Sequence, residues 1–208
     1  MIPIKWIKLV VFGLCLIPFG VLVYGIFTQN LSANPIEYLL DETGTWALRL
    51  LLTTLAMTPL RWLTGRTEFI RLRRMLGLFT FFYASLHLTT YAVLDLGLDF
   101  SHLTEDIIKR PFITVGFLAW LIMLPMAITS NNKMIRRLGK RWKTLHKGIY
   151  LVVGLACLHY IWLVKSDLTE PSIYAGIGLL LLLIRFFKFM HVRSKYKKET
   201  SQHTVTNQ

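Results

Sequence analysis

Acidic residues are scarce in this 208-residue chain: 11 Asp and Glu stand against 24 Lys and Arg, for a formal net charge of +13. Charge of either sign is thin at 17% of residues, while 54% are hydrophobic and the mean hydropathy is +0.50. That balance excludes an ordinary soluble domain. Cysteine is limited to Cys15 and Cys157, both inside apolar runs, which excludes a disulfide framework. No Cys-x-x-Cys-His is present, so a haem could not be attached covalently in the c-type manner. The only Gly-x-Gly, at Gly176 and Gly178, lies in an apolar run and follows no strand pattern, so nicotinamide oxidation belongs to another protein. The excess of cations does not imply nucleic acid, because no segment is large enough to fold as a soluble module with a basic face. No internal repeat or low-complexity tract is visible.

What is present is a series of long apolar runs. Crossing a hydrocarbon core of roughly 30 Å takes about 20 helical residues. Six runs qualify, at 8–28, 45–63, 74–94, 111–129, 142–164 and 172–190. They predict an all-α fold: a six-helix integral membrane bundle over 1–192, followed by a polar, unstructured tail at 193–208. The first run is longer than a signal-peptide core and no small-residue cleavage pattern follows it, so it is expected to stay as a helix, kinked at Pro18. All cations except Arg49, Lys109, Arg110 and Lys165 fall at the amino terminus, in the 61–74 and 131–147 connections, or after Ile184. The positive-inside rule therefore places both termini in the cytoplasm. The opposite connections carry most of the carboxylates.

Two histidines interrupt this apolar pattern. An ionisable side chain within the membrane is costly and normally has a partner or a task. At a rise of about 1.5 Å per residue, His87 on the third run and His159 on the fifth both fall in the outer half, at nearly one depth. Two imidazoles on different helices at one level suit a shared metal, and a b-type haem iron in particular. Each ring's second nitrogen would need a carbonyl or hydroxyl partner, for which Ser85, Thr89 and Thr90 are candidates. The bland alternative for each histidine is interhelical polar bonding.

His146 lies thirteen residues before His159, near the inner surface. On an ideal helix that spacing turns it away by about 220°, which disfavours a stacked second haem. Arg49 sits one turn inside the outer end of the second run; it either snorkels to the interface or pairs with a haem propionate. Arg71, Arg73 and Arg74 mark the inner side, and could also receive a flavin phosphate or an acidic donor protein. His102 and His203 are expected to be solvated. A small transporter or assembly scaffold, with its histidines in a proton or metal path, is the competing class. It lacks support from related halves or corresponding broken helices.

The stretch RRMLGLFTFFYASLHLTTY from Arg73 to Tyr91, with TPLR at 58–61, RWKTLHKGIY at 141–150 and LHY at 158–160, resembles the MsrQ family, formerly YedZ. The similarity runs over 45–164 and the flanking helices are compatible. The resemblance implies a ferric-reductase-like haem b subunit of the bacterial inner membrane. It further implies electrons drawn from the quinone pool or a cytosolic flavin reductase. These would pass to an MsrP-like periplasmic molybdoenzyme that repairs methionine sulfoxide in proteins. FMN is implied by the family alone. The family's histidines correspond to His87, His146 and His159, whereas classical ferric reductases carry two histidines on each of two helices. Here the third helix lacks its inner one.

Overall fold

The computed structural model describes residues 3–164 and 166–206, and all regular elements among them are helical. Of residues 100–104 and 195–206 only the backbone is described, so the side chains of His102 and His203 lie outside the described set. The longer helices are α1 (Ile4–Phe27), α2 (Pro35–Thr64), α3 (Glu68–Thr90), α5 (Pro111–Ile128), α8 (Ile149–Leu163) and α9 (Thr169–Thr206). Short helices α4 (Phe100–Lys109) and α6 (Asn132–Leu138) lie between the expected spans, and α7 (Lys140–Leu145) overlaps the start of the expected 142–164 run.

Five helical stretches are long and apolar enough to cross a bilayer: Ile4–Phe27, Glu68–Asp95, Pro111–Ile128, Lys140–Leu163 and Thr169–Ser194. The remaining expected span lies in α2, where Arg49, Arg61 and several threonines dilute the hydropathy. Its position explains that composition. Residues of α2 enter both hydrophobic cores, Leu51 and Leu55 packing with Met123, Val152 and Val153, and Leu50 and Met57 with Leu72, Leu76 and Phe79. A helix enclosed by its neighbours need not be apolar all round. Large apolar side chains of α1 and α9, such as Phe12, Val21, Leu179 and Phe187, point outward instead.

Several expected boundaries move for local reasons. α2 begins at Pro35, well before the expected 45, because Asn34 caps it through Glu37 N and Pro35 suits the first turn. It ends at Gly65, whose φ of 70° is the left-handed stop that glycine allows. The expected 142–164 helix is broken: α7 passes through a tight turn at His146–Gly148 before α8 begins. α3 runs into a wide π turn at Tyr91–Asp95. α9 continues through Thr206, so the 193–206 stretch expected to be unstructured is helical.

Two proline kinks are braced from other helices. Pro18 disturbs the ladder of α1, and the fully buried Tyr83 hydroxyl inserts there, donating to Cys15 O at 2.8 Å and accepting from Phe19 N at 3.0 Å. Pro59 offers no N–H to Leu55 O in α2, and a guanidinium nitrogen of Arg185 on α9 donates to that carbonyl.

Candidate functional site

The packing of α2 against α3, and of α5 against α8, carries His87 and His159 to one place. Their ring centroids are 6.0 Å apart and their planes meet at 84°. His87 Nδ1 lies 3.0 Å from Leu40 O, and His159 Nδ1 lies 2.7 Å from Phe112 O. A carbonyl can only accept, so in both rings Nδ1 carries the hydrogen and Nε2 keeps a lone pair. This is the tautomer of an imidazole prepared to bind a metal through Nε2. The hydroxyls considered from sequence do not serve here: Ser85 accepts from the Trp120 indole at 3.0 Å, and Thr89 bonds Ser85 O at 2.8 Å.

The two halves of the site are built alike. Each carbonyl stands 47 residues before its histidine, and each is followed four residues later by a glycine facing the ring. A Cβ on Gly44 would lie 3.1 Å from His87 Nδ1, and one on Gly116 would lie 2.7 Å from His159 Nδ1. Leu40, Gly44 and His87 thus correspond to Phe112, Gly116 and His159. The sequence shows no repeat because only these three positions, far apart in the chain, match.

The pair fits a haem iron. A metal–imidazole bond of about 2 Å, with about 1 Å more from nitrogen to ring centre, sets two rings on one metal about 6 Å apart. Among the described residues no three His, Cys, Asp or Glu side chains gather as a metal-binding set. A metal held by these two imidazoles alone would need its other ligands from a ring of its own. A cavity of about 500 Å³ opens beside Phe112, lined by Lys109, Arg110 and Trp162. Near the start of α2, burial and then Glu37 and Glu42 hold the Asp41 carboxyl above the usual carboxylate range.

The other sequence candidates are dispersed. Arg49 is half-buried; its Nε donates to Tyr174 OH at 2.8 Å and its guanidinium lies 5.1 Å from the Trp46 ring. It is tied into the bundle by these contacts, while its terminal nitrogens have no partner among the described residues. His146 stacks on Trp142 with centroids 3.8 Å apart, its Nδ1 3.0 Å from Trp142 O. Its Nε2 is 3.3 Å from Ser130 Oγ, but that hydroxyl lies nearer Met126 O at 2.7 Å and has one hydrogen to give. Because a tight turn intervenes, the 220° rotation of an ideal helix does not describe His146 and His159. Arg73 is half-buried near the start of α3, whereas Arg74 is exposed and bonds Asn132.

Residues 43–157 match the model of the ferric reductase like transmembrane component family. The chain is 53% identical over 178 residues to the protein-methionine-sulfoxide reductase heme-binding subunit MsrQ of Xanthomonas campestris pv. campestris (strain B100), covering 86% of this chain and 80% of that one. This chain belongs to the MsrQ family. A second MsrQ, from Herminiimonas arsenicoxydans, is 48% identical over 192 residues, 91% of this chain and 88% of its own. An MsrQ from Xanthomonas axonopodis pv. citri (strain 306) is 49% identical over 179 residues, 86% and 82% of the two chains. No solved structure matches. Membership makes this a multi-pass membrane protein of a redox system. The matched region contains Gly44, His87, Gly116 and His146, and ends two residues before His159.

Proposed function

We propose that this chain is the haem b electron-transfer subunit of a protein-methionine-sulfoxide reductase system, with His87 and His159 as the axial ligands. The observation that carries the reading is the pair of rings 6.0 Å apart with both Nδ1 atoms committed to carbonyls. A haem held there supplies a one-electron carrier. The chain's own part is to fix both tautomers through Leu40 O and Phe112 O, and to keep the rings in place between Gly44 and Gly116. With His87 and His159 both holding the iron, the site would suit electron transfer rather than oxygen chemistry.

In this reading α2 is the sixth span and both termini face the cytoplasm, so the His87–His159 level lies toward the periplasm. Electrons enter from the quinone pool or a cytosolic flavin reductase and leave to a periplasmic MsrP-like molybdoenzyme. Arg49, whose terminal nitrogens have no partner among the described residues, would pair with a haem propionate. Arg73 and Arg74 lie on the inner side, where a donor or the FMN implied by the family would approach. His146 is the candidate ligand for any second haem. Nothing else in the described residues marks an FMN ring. The location is the bacterial inner membrane. The purified full-length chain in detergent should show a Soret band that shifts on adding dithionite. A colourless protein, after expression with ample haem, would return it to the transporter or scaffold reading.

A further inference from the structure

Four cations stand apart from the inner-side clusters: Arg49, Lys109, Arg110 and Lys165. Two of them, Lys109 and Arg110, line the cavity of about 500 Å³ beside Phe112. Phe112 is also the neighbour of His159, with ring centroids 6.1 Å apart and its carbonyl accepting from Nδ1 at 2.7 Å. Trp162, another residue of the cavity wall, follows His159 on α8 by about one turn.

Arg110 is tied to the half of the site that carries His87. Tyr91, about one turn past His87, donates its hydroxyl hydrogen to Asp106 Oδ2 at 3.0 Å, and Arg110 Nε lies 3.4 Å from Asp106 Oδ1. The corner between α4 and α5 is closed by Arg110 N donating to Asp106 O at 2.8 Å and Thr114 Oγ1 to Ile107 O at 3.2 Å. Asp106 is largely enclosed, with 17% of its side chain exposed against 52% for Arg110. No other partner meets the Arg110 guanidinium among the described residues. Lys109 differs, since its ammonium pairs with the exposed Glu105.

An ordinary surface ion pair has no need of an enclosed carboxylate braced by a tyrosine from the helix of His87. A haem b supplies a reason. Its ring is apolar apart from two propionates, and carboxylates are costly in hydrocarbon unless a cation or water meets them. Arg110 offers a planar fork that matches a carboxylate. We infer that Arg110 is the partner of a haem propionate, with Asp106 and Tyr91 as positioning residues that hold its guanidinium at the cavity beside Phe112. The inference rests on the haem reading above and adds to it three residues on the α3, α4 and α5 side. Two propionates leave room for Arg49 as well.

The test uses the full chain purified with its haem in detergent. Arg110→Gln, Arg110→Lys and Tyr91→Phe are compared with Lys188→Gln, which alters an exposed cation on α9. Resonance Raman reads the propionate bending band, transfer to excess apomyoglobin reads the rate of haem loss, and a redox titration reads the potential. Arg110→Gln should keep the two-histidine optical spectrum, shift the propionate band and lose haem about tenfold faster, the loss of one charge-assisted hydrogen bond. Its potential should fall, because an uncompensated carboxylate favours ferric iron. Arg110→Lys should recover the potential, by keeping the charge, without recovering the band. Tyr91→Phe changes no charge and should shift the band less. If Arg110→Gln does not accumulate, Arg110→Lys carries the band and transfer measurements.

A band and transfer rate in Arg110→Gln equal to those of Lys188→Gln overturn the inference. So does a lower potential with an unmoved band, since charge alone acts at a distance. Weaker association with a periplasmic partner, again with the band unmoved, would give the cavity to that partner instead. A haem-loaded wild type beside a silent Arg110→Gln defeats this inference alone, whereas a wild type without haem defeats the underlying reading with it.

Discussion

Replacing Gly116 by Ala puts a methyl group where the His159 ring now sits. The new Cβ would stand 2.7 Å from Nδ1, 2.9 Å from Cε1 and 3.2 Å from Cγ. Ordinary contact begins near 3.4 Å, so the ring must retreat by about 0.7 Å. The 2.7 Å bond to Phe112 O would stretch toward the limit of hydrogen bonding. A bond of this kind is worth about 1 kcal/mol. Donation from Nδ1–H makes the imidazole a stronger electron donor and favours the ferric form; its loss should raise the reduction potential. If the oxidised state feels most of that loss, the shift is about 40 mV upward, on a scale of about 59 mV per tenfold for one electron. A redox titration of the purified haem protein, followed at the Soret band, measures it. Gly44→Ala should shift the potential in the same direction by less, because its Cβ would lie 3.1 Å from His87 Nδ1. Gly154 lies on the same helix as His159 with nothing within 4 Å of its would-be Cβ, so Gly154→Ala is the control. Wild-type potential and spectrum in Gly116→Ala, or an equal shift in Gly154→Ala, would refute the reasoning.

Tyr83→Phe removes the hydroxyl that bridges Cys15 O and Phe19 N; thermal unfolding in detergent should show a loss of about 1–3 kcal/mol, with the haem potential unmoved. A shifted potential with unchanged stability would contradict that structural role. Arg49→Gln should alter haem retention or potential, and indifference in both would remove the propionate assignment. His146→Ala should lower stability through its lost packing on Trp142 while the outer haem spectrum persists; disappearance of that spectrum would make His146 a ligand of the same iron.

The histidine pair could be placed at one depth from sequence because apolar runs, charge asymmetry and a constant helical rise are one-dimensional signals. Its immediate surroundings could not. Leu40 O and Phe112 O belong to the backbone and carry no residue signature, and Gly44 and Gly116 acquire meaning only once α2 meets α3 and α5 meets α8. The early start of α2 was legible in principle, since Asn34, Pro35 and Glu37 form a helix-start pattern, but hydropathy alone begins the run later. The break at His146–Gly148 was hidden because a short turn between helical residues leaves the apolar pattern intact. Arg185 was read with the inner cations. Its link to Pro59 depends on α9 lying against α2, which no local pattern states.

The central claim rests on two axial imidazoles, and haem content per protein in His87→Ala and His159→Ala tests it most directly. Measured by pyridine haemochrome against protein concentration, beside the optical spectrum, both variants should lose the b-type haem held by the wild type. Normal haem content and an unchanged spectrum in both, with the protein folded, would contradict the assignment.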